Sequence, residues 1–125
     1  MPIILIATAL AMSIAFAQAA AAADDASAEQ VFNNNCRTFH TWKKDDNRLG
    51  PNLHGIIGRK AGSVAGFAYS PAMKSSGITW DEATLDKFIA KPDGVVADNN
   101  MKPFTGISDA ATRKAIIEFL KSDPD

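Results

Sequence analysis

Between Gly50 and Gly66 the chain places five glycines and Pro51 among few apolar residues at helical spacing, and glycine returns at Gly77. That stretch cannot sustain a helix or a strand ladder, so it is predicted to be loop. Long loops inside a small domain are uncommon unless they wrap something, because loop backbone needs partners and loop side chains need a core. About 100 residues make only a modest core, so whatever these loops enclose would have to supply the apolar mass that so loop-rich a layout lacks. A bound cofactor would do so.

The flanking segments read as helices, which makes the chain all-α. Ser27-Ala28-Glu29-Gln30 has the capping-box form, with a helix expected through Val31 and Phe32 towards Cys36. Ser70-Pro71 resembles an N-cap followed by proline at the first helical position, with Gly77 as the stop. Thr79-Trp80-Asp81-Glu82 is a second capping box, before a helix that presents Leu85, Phe88 and Ile89 on one side and ends at Pro92. A polar loop is predicted from there to Gly106. Ser108-Asp109 then caps a last helix whose apolar side is Ile116, Ile117, Phe119 and Leu120. The mixed run Lys43-Lys44-Asp45-Asp46-Asn47-Arg48 is read as a solvated loop.

Residues 1–23 contain no charged side chain and are rich in Ala, Ile and Leu. They are read as a secretory signal peptide, with cleavage after Ala17, Ala19 or Ala23. An uncleaved membrane anchor is the alternative, since the apolar stretch reaches the length of about 18 residues that a span requires. The polyalanine end favours the signal peptide, leaving a single domain over residues 24–125. The net charge of −1 falls on that domain and argues against a nucleic-acid binder, which would show a basic stripe. An exported chain normally pairs its cysteines, yet Cys36 is the only one. It pairs with another chain, stays free, or is consumed by a cofactor.

Cys36-Arg37-Thr38-Phe39-His40 matches the c-type haem attachment pattern Cys-x-x-Cys-His at its first cysteine and its histidine, with Phe39 in place of the second cysteine. Alone, a Cys four residues before a His is a weak signal. The rest of the chain is more specific. The ordered series runs through Gly50-Pro51-Asn52-Leu53-His54-Gly55, Gly58-Arg59-Lys60, Gly66-Phe67 with Tyr69, and Gly77-Ile78-Thr79-Trp80. It continues with Thr84-Leu85, Pro92, Met101, Phe104, Gly106-Ile107, Ile117 and Phe119-Leu120-Lys121. From Phe32 to Lys121 the chain resembles the class I c-type cytochromes, and in its middle it is similar to the mitochondrial type and related bacterial proteins.

The resemblance implies the cytochrome c fold, with N- and C-terminal helices crossing and loops wrapped around a haem. It implies His40 as proximal iron ligand and Met101, nine residues after Pro92, as distal ligand. The Pro51 carbonyl would accept the His40 ring N–H, and Arg59, Tyr69 and Trp80 would hold the haem propionates. Phe32 would meet Ile116 and Phe119 at the helix crossing, and Leu53, Leu85, Phe88 and Phe104 would wall the macrocycle. Cys36 would form a single thioether to haem c. Asn99 would donate a hydrogen bond where the family has Thr, Phe88 replaces a Tyr, and Met73 stands where the family has Asn and is read as packing.

The implied function is a soluble one-electron carrier that shuttles electrons between redox partners of a respiratory or photosynthetic chain. It would be periplasmic, or membrane-anchored if the leader is retained, and monomeric. It would take no small-molecule substrate and bind no nucleic acid. Lys43, Lys44, Lys60 and Lys102 would form a local positive rim for transient protein partners. Two alternatives follow from Phe39 and from the altered loop before Met101. One is a degenerate scaffold that binds haem non-covalently. The other is a haem protein with weak peroxidase-like activity, for which no distal acid–base His is evident.

Overall fold

The computed structural model describes residues 27–124. The leader predicted over residues 1–23 therefore lies outside the described residues. Five helical segments follow in order: α1 over residues 27–36, α2 Pro71–Lys74, α3 Glu82–Ala90, α4 Pro92–Val95 and α5 Ala110–Lys121. The β pairing among the described residues is one isolated antiparallel bridge between Lys60 and Thr79. This is the all-α architecture expected, and none of these helices is long and apolar enough to cross a membrane.

The core forms where α1, α3 and α5 meet. Phe32, fully buried on α1, stacks on Phe119 of α5 at a centroid distance of 5.2 Å, and Ile116 packs beside them. Burying a Phe of this kind contributes about 2 kcal/mol. Trp42, in the loop after α1, is edge-on to both rings, 5.5 Å from Phe32 and 5.1 Å from Phe119. It ties that loop to the helix crossing. α3 is joined to α5 by ion pairs from Arg113 to Asp86 at 2.8 Å and from Lys121 to Glu82 at 3.0 Å.

The helix boundaries differ from expectation in ways that local hydrogen bonding explains. Ser27 is already helical, so the capping role predicted for it is not seen. Ser70 caps α2 as expected, its hydroxyl accepting from Met73 N–H at 3.1 Å, but α2 ends at Lys74, three residues before Gly77. α3 is capped by Asp81 and not by Thr79. Asp81 accepts from Thr84 N–H at 2.7 Å, and Thr84 returns a hydroxyl acceptor to Asp81 N–H at 2.8 Å. Thr79 is instead spent on the bridge to Lys60. Past Pro92 the chain does not go straight to loop: proline at the first helical position starts the single turn α4. Asp109 caps α5 as predicted, accepting from Thr112 N–H at 2.9 Å.

The segment from Gly50 to Gly66 is loop, as its glycines dictate. It is stitched to the entrance of α3 by backbone bonds from Gly58 N–H to the Trp80 carbonyl at 2.7 Å, Trp80 N–H to Arg59 at 2.9 Å, and Ala61 N–H to Ile78 at 2.8 Å. This stitching holds one wall of the cleft described below.

Candidate functional site

The turn after α1 brings Cys36 and His40 together. The Cys36 carbonyl accepts from Phe39 N–H at 3.1 Å and from His40 N–H at 2.9 Å, so residues 36–40 close into one compact turn. His40 then points its ring at the next loop, where Nδ1 lies 2.8 Å from the Pro51 carbonyl. A carbonyl only accepts, so Nδ1 carries the proton and Nε2 keeps its lone pair. Burial holds the His40 imidazole below its ordinary pKa, opposed by the Pro51 bond and reinforced by the nearby Arg59 charge. The ring is therefore neutral at pH 7, the form that ligates metals.

Gly50 makes this approach possible. A Cβ at position 50 would fall on the His40 ring, 2.7 Å from Nδ1. The neighbouring Cys36 is free and half-buried, and burial pushes its thiol up to about 12, so it is protonated at neutral pH.

His40 and Cys36 border a cleft of about 170 Å³. One water requires on the order of 10–15 Å³ on this measure, so the cleft is far larger than a packing defect. Its walls are apolar: Leu53, Ile56, Phe67, Met73, Leu85, Phe88, Phe104 and Ile116 all contribute. Cys36, Phe39, His40, Pro51, Arg59, Tyr69, Trp80 and Met101 line it too, so seven of the eight predicted site residues converge there, with Phe39 alongside. Apolar side chains that face such a cleft lack packing partners on that side, so the fold suits a large apolar guest.

Arg59 supplies the polar counterpart. Its two terminal nitrogens donate to the carbonyls of His54 at 2.9 Å and Asn52 at 2.8 Å, while its Nε is buried without a partner among the described residues. Burial lowers its pKa, and Tyr69 opposes that shift. A half-buried guanidinium with an orphaned donor suits an anionic group on the guest. The Tyr69 hydroxyl accepts from Val64 N–H at 3.1 Å, which leaves its own proton to donate.

Asn99 is the exception among the predicted site residues. It does not line the cleft; both of its amide hydrogens are spent, on Val96 O at 2.7 Å and Asp93 Oδ1 at 2.9 Å. It cannot donate towards Met101 as the resemblance implied. Its Oδ1 instead accepts the Met101 backbone N–H at 2.9 Å. Of the four lysines expected at the rim, Lys60 lines the cleft and Lys43, Lys44 and Lys102 do not. Leu49, which carried no motif, stands at the rim 73% exposed. Trp42 and Ile56 were likewise unmarked, and Gly50, though part of the ordered series, carried no sign of its close approach to His40: a glycine's steric duty and a loop aromatic's partners are tertiary facts with no local pattern.

A neutral imidazole with a free Nε2, a thioether, a thiol, apolar walls and an orphaned guanidinium donor fit a haem. The comparisons agree with that fit. No protein-family model matches the chain. It is 45% identical over 87 residues to cytochrome c2 iso-2 of Magnetospirillum fulvum, covering 70% of this chain and 90% of that one. It is 44% identical over 108 residues to cytochrome c2 of Rhodomicrobium vannielii, covering 83% and 82%. Among solved structures, cytochrome cH from Methylobacterium extorquens superposes with a TM-score of 0.72 at 40% identity, over 79% of this chain and 98% of that one.

Fold, site and relatives together define a haem-binding electron-transfer protein. The chain belongs to the class I c-type cytochromes, as an electron carrier of that family.

Proposed function

We propose that this cytochrome carries single electrons on a c-type haem ligated by His40 and Met101 and tethered by one thioether from Cys36. The observation that carries the reading is the His40–Pro51 contact at 2.8 Å. It fixes the imidazole in the tautomer that offers Nε2 to the same cleft that Met101 and Cys36 line. Bound haem supplies the one-electron couple, and a Met/His axial pair raises its potential relative to other axial sets.

The chain's own residues supply the rest. Phe88, Met73 and Leu85 line the same cleft as Met101 and keep its wall apolar, and Arg59, with Tyr69 and Trp80, offers donors to the propionates. Trp80 packs on Phe88 at 5.0 Å between ring centroids, which anchors that wall. The Cys36 thiol stands one turn from His40, where it can add to a vinyl group; Phe39 occupies the place of the second thiol. The protein is exported to the periplasm and meets its redox partners transiently at the cleft rim, near Leu49 and Lys60. A peroxidase-like role is disfavoured because His54, the second histidine of the sequence, does not line the cleft. Its ring lies 3.5 Å from Asp123 near the C-terminus instead.

The test is an alkaline-pyridine haemochrome spectrum before and after acidified-solvent extraction, on protein from a host with cytochrome maturation machinery. Haem that survives extraction, with an α-band between those of two-thioether and free-vinyl haem, supports the reading. Haem that extracts completely rejects the Cys36 tether and favours the non-covalent scaffold.

A further inference from the structure

Asn99 is 4% exposed, and its amide is fully engaged. Nδ2 donates to the Val96 carbonyl at 2.7 Å and to Asp93 Oδ1 at 2.9 Å, while Oδ1 accepts Met101 N–H at 2.9 Å. The Val96 carbonyl also takes the Asn99 backbone N–H at 3.2 Å, and Val96 N–H donates to Pro92 at 2.9 Å. The turn α4 and the loop that carries Met101 are thereby closed into one hydrogen-bonded unit. On its other side the Met101 carbonyl accepts from Phe104 N–H at 2.9 Å, so both polar groups of the Met101 backbone are held.

Loop residues are ordinarily the least constrained part of a fold. Here a buried side chain fixes the backbone on which Met101 sits, and an exposed carboxylate at the first turn of α4 fixes that side chain. A charged acceptor makes the stronger hydrogen bond, and it polarises the amide so that Oδ1 accepts more strongly in turn. Asn99 never reaches the cleft; it acts only through Met101.

We propose that Asn99 and Asp93 are positioning residues that clamp Met101, and that the clamp determines how readily an outside ligand displaces the Met101 thioether from the iron. The proposal rests on the reading of Met101 as distal ligand. With the clamp intact, the loop meets the iron preorganised, and little ordering entropy is lost when the bond forms. Without it, the same loop must be ordered at the moment of ligation, and a small competitor gains.

The experiment titrates the haem-loaded, ferric full-length protein with imidazole. It follows the Soret shift that imidazole ligation produces in every variant, the far-red methionine-to-iron charge-transfer band where Met101 is retained and, separately, the reduction potential. Asn99→Ala and Asp93→Ala are expected to tighten apparent imidazole binding at least threefold and to lower the potential. Asp93→Asn, which keeps an oxygen acceptor for Asn99 Nδ2, is expected to restore most of the difference. A merely structural role would lower thermal stability without moving imidazole affinity or potential. Met101→Ala separates the two layers of the argument. If Met101→Ala alone tightens imidazole binding and both clamp variants stay within threefold of wild type, the clamp is overturned and the ligand reading stands. If Met101→Ala also leaves imidazole binding unchanged, the ligand reading falls and the clamp falls with it. Should Asn99→Ala fail to accumulate, Asp93→Ala carries the test, since Asp93 is exposed and its truncation leaves the core intact.

Discussion

Gly50 and His40 are packed so closely that no side chain fits between them: a Cβ on Gly50 would stand 2.7 Å from Nδ1 of the imidazole. The same nitrogen is 2.8 Å from the carbonyl of the next residue, Pro51. The glycine is thus what lets the loop backbone reach the ring, and the ring orientation depends on it. Gly50→Ala is expected to push the imidazole off Pro51, to destabilise the fold by about 1–3 kcal/mol through overpacking, and to lower the reduction potential by weakening the orientation of His40. Thermal unfolding and potentiometry on the haem-loaded protein check both parts. An unchanged potential would show that His40 does not take its orientation from this contact.

Phe39 lines the cleft at the position where a second thiol would bond. Phe39→Cys is therefore expected to convert one thioether into two, shifting the pyridine haemochrome α-band to the two-thioether position and leaving no extractable haem. Cys36→Ala is expected to do the reverse and release all haem to acidified solvent. If Phe39→Cys leaves the α-band in place, the added thiol does not reach a vinyl group and the register of the turn differs from the family's.

Much of this arrangement was legible in the residues, and what was not has a common cause. Apolar spacing marked α3 and α5 correctly because one face of each is buried: Leu85 and Phe88, then Ile116, Ile117, Phe119 and Leu120. Glycine and proline marked the loop from Gly50 to Gly66 because backbone conformation is a local matter. Side-chain partners were harder. Asp81 took the cap that Thr79 was expected to hold, since the helix starts at Glu82 and Thr79 lies two residues before the capping position, in the extended backbone that bridges to Lys60. Asn99 turned its amide to α4 and away from the cleft, because α4 itself, a single turn begun by Pro92, had no pattern long enough to reveal it.

Trp42 lies in a loop, yet it is edge-on to Phe32 and Phe119 at 5.5 and 5.1 Å. It packs against the α1 and α5 rings that meet at the helix crossing. Trp42→Ala is expected to cost about 3 kcal/mol, towards the lower end for a large aromatic because the ring is only half-buried. Trp42→Phe is expected to recover most of that, since it keeps an edge-to-face partner. Denaturant unfolding of the haem-loaded protein measures both. A cost below about 1 kcal/mol for the alanine variant would mean that the crossing holds without the loop.

Acid stability should be governed in part by the helix caps. The Thr84 backbone N–H and hydroxyl hold the Asp81 carboxyl below 3.8, and the Thr112 hydroxyl and N–H do the same for Asp109. Their folded values are depressed, so their contribution is present above the unfolded value near 3.8 and is lost as pH falls through the lower folded value. Wild type is therefore expected to lose stability more steeply below about pH 4 than the double variant Asp81→Asn, Asp109→Asn, whose amides keep the capping oxygen and do not titrate. Asp46 is depressed as well, first by the hydrogen bond from Arg48, but it caps no helix and its exposed pair adds little. Denaturant midpoints measured from pH 6 down to pH 2 for both proteins give the comparison, with the difference between the two curves isolating the caps from any acid effect on the haem site. Parallel curves would show that α3 and α5 are held by the core alone, and that their capping carboxylates play no part in the acid transition.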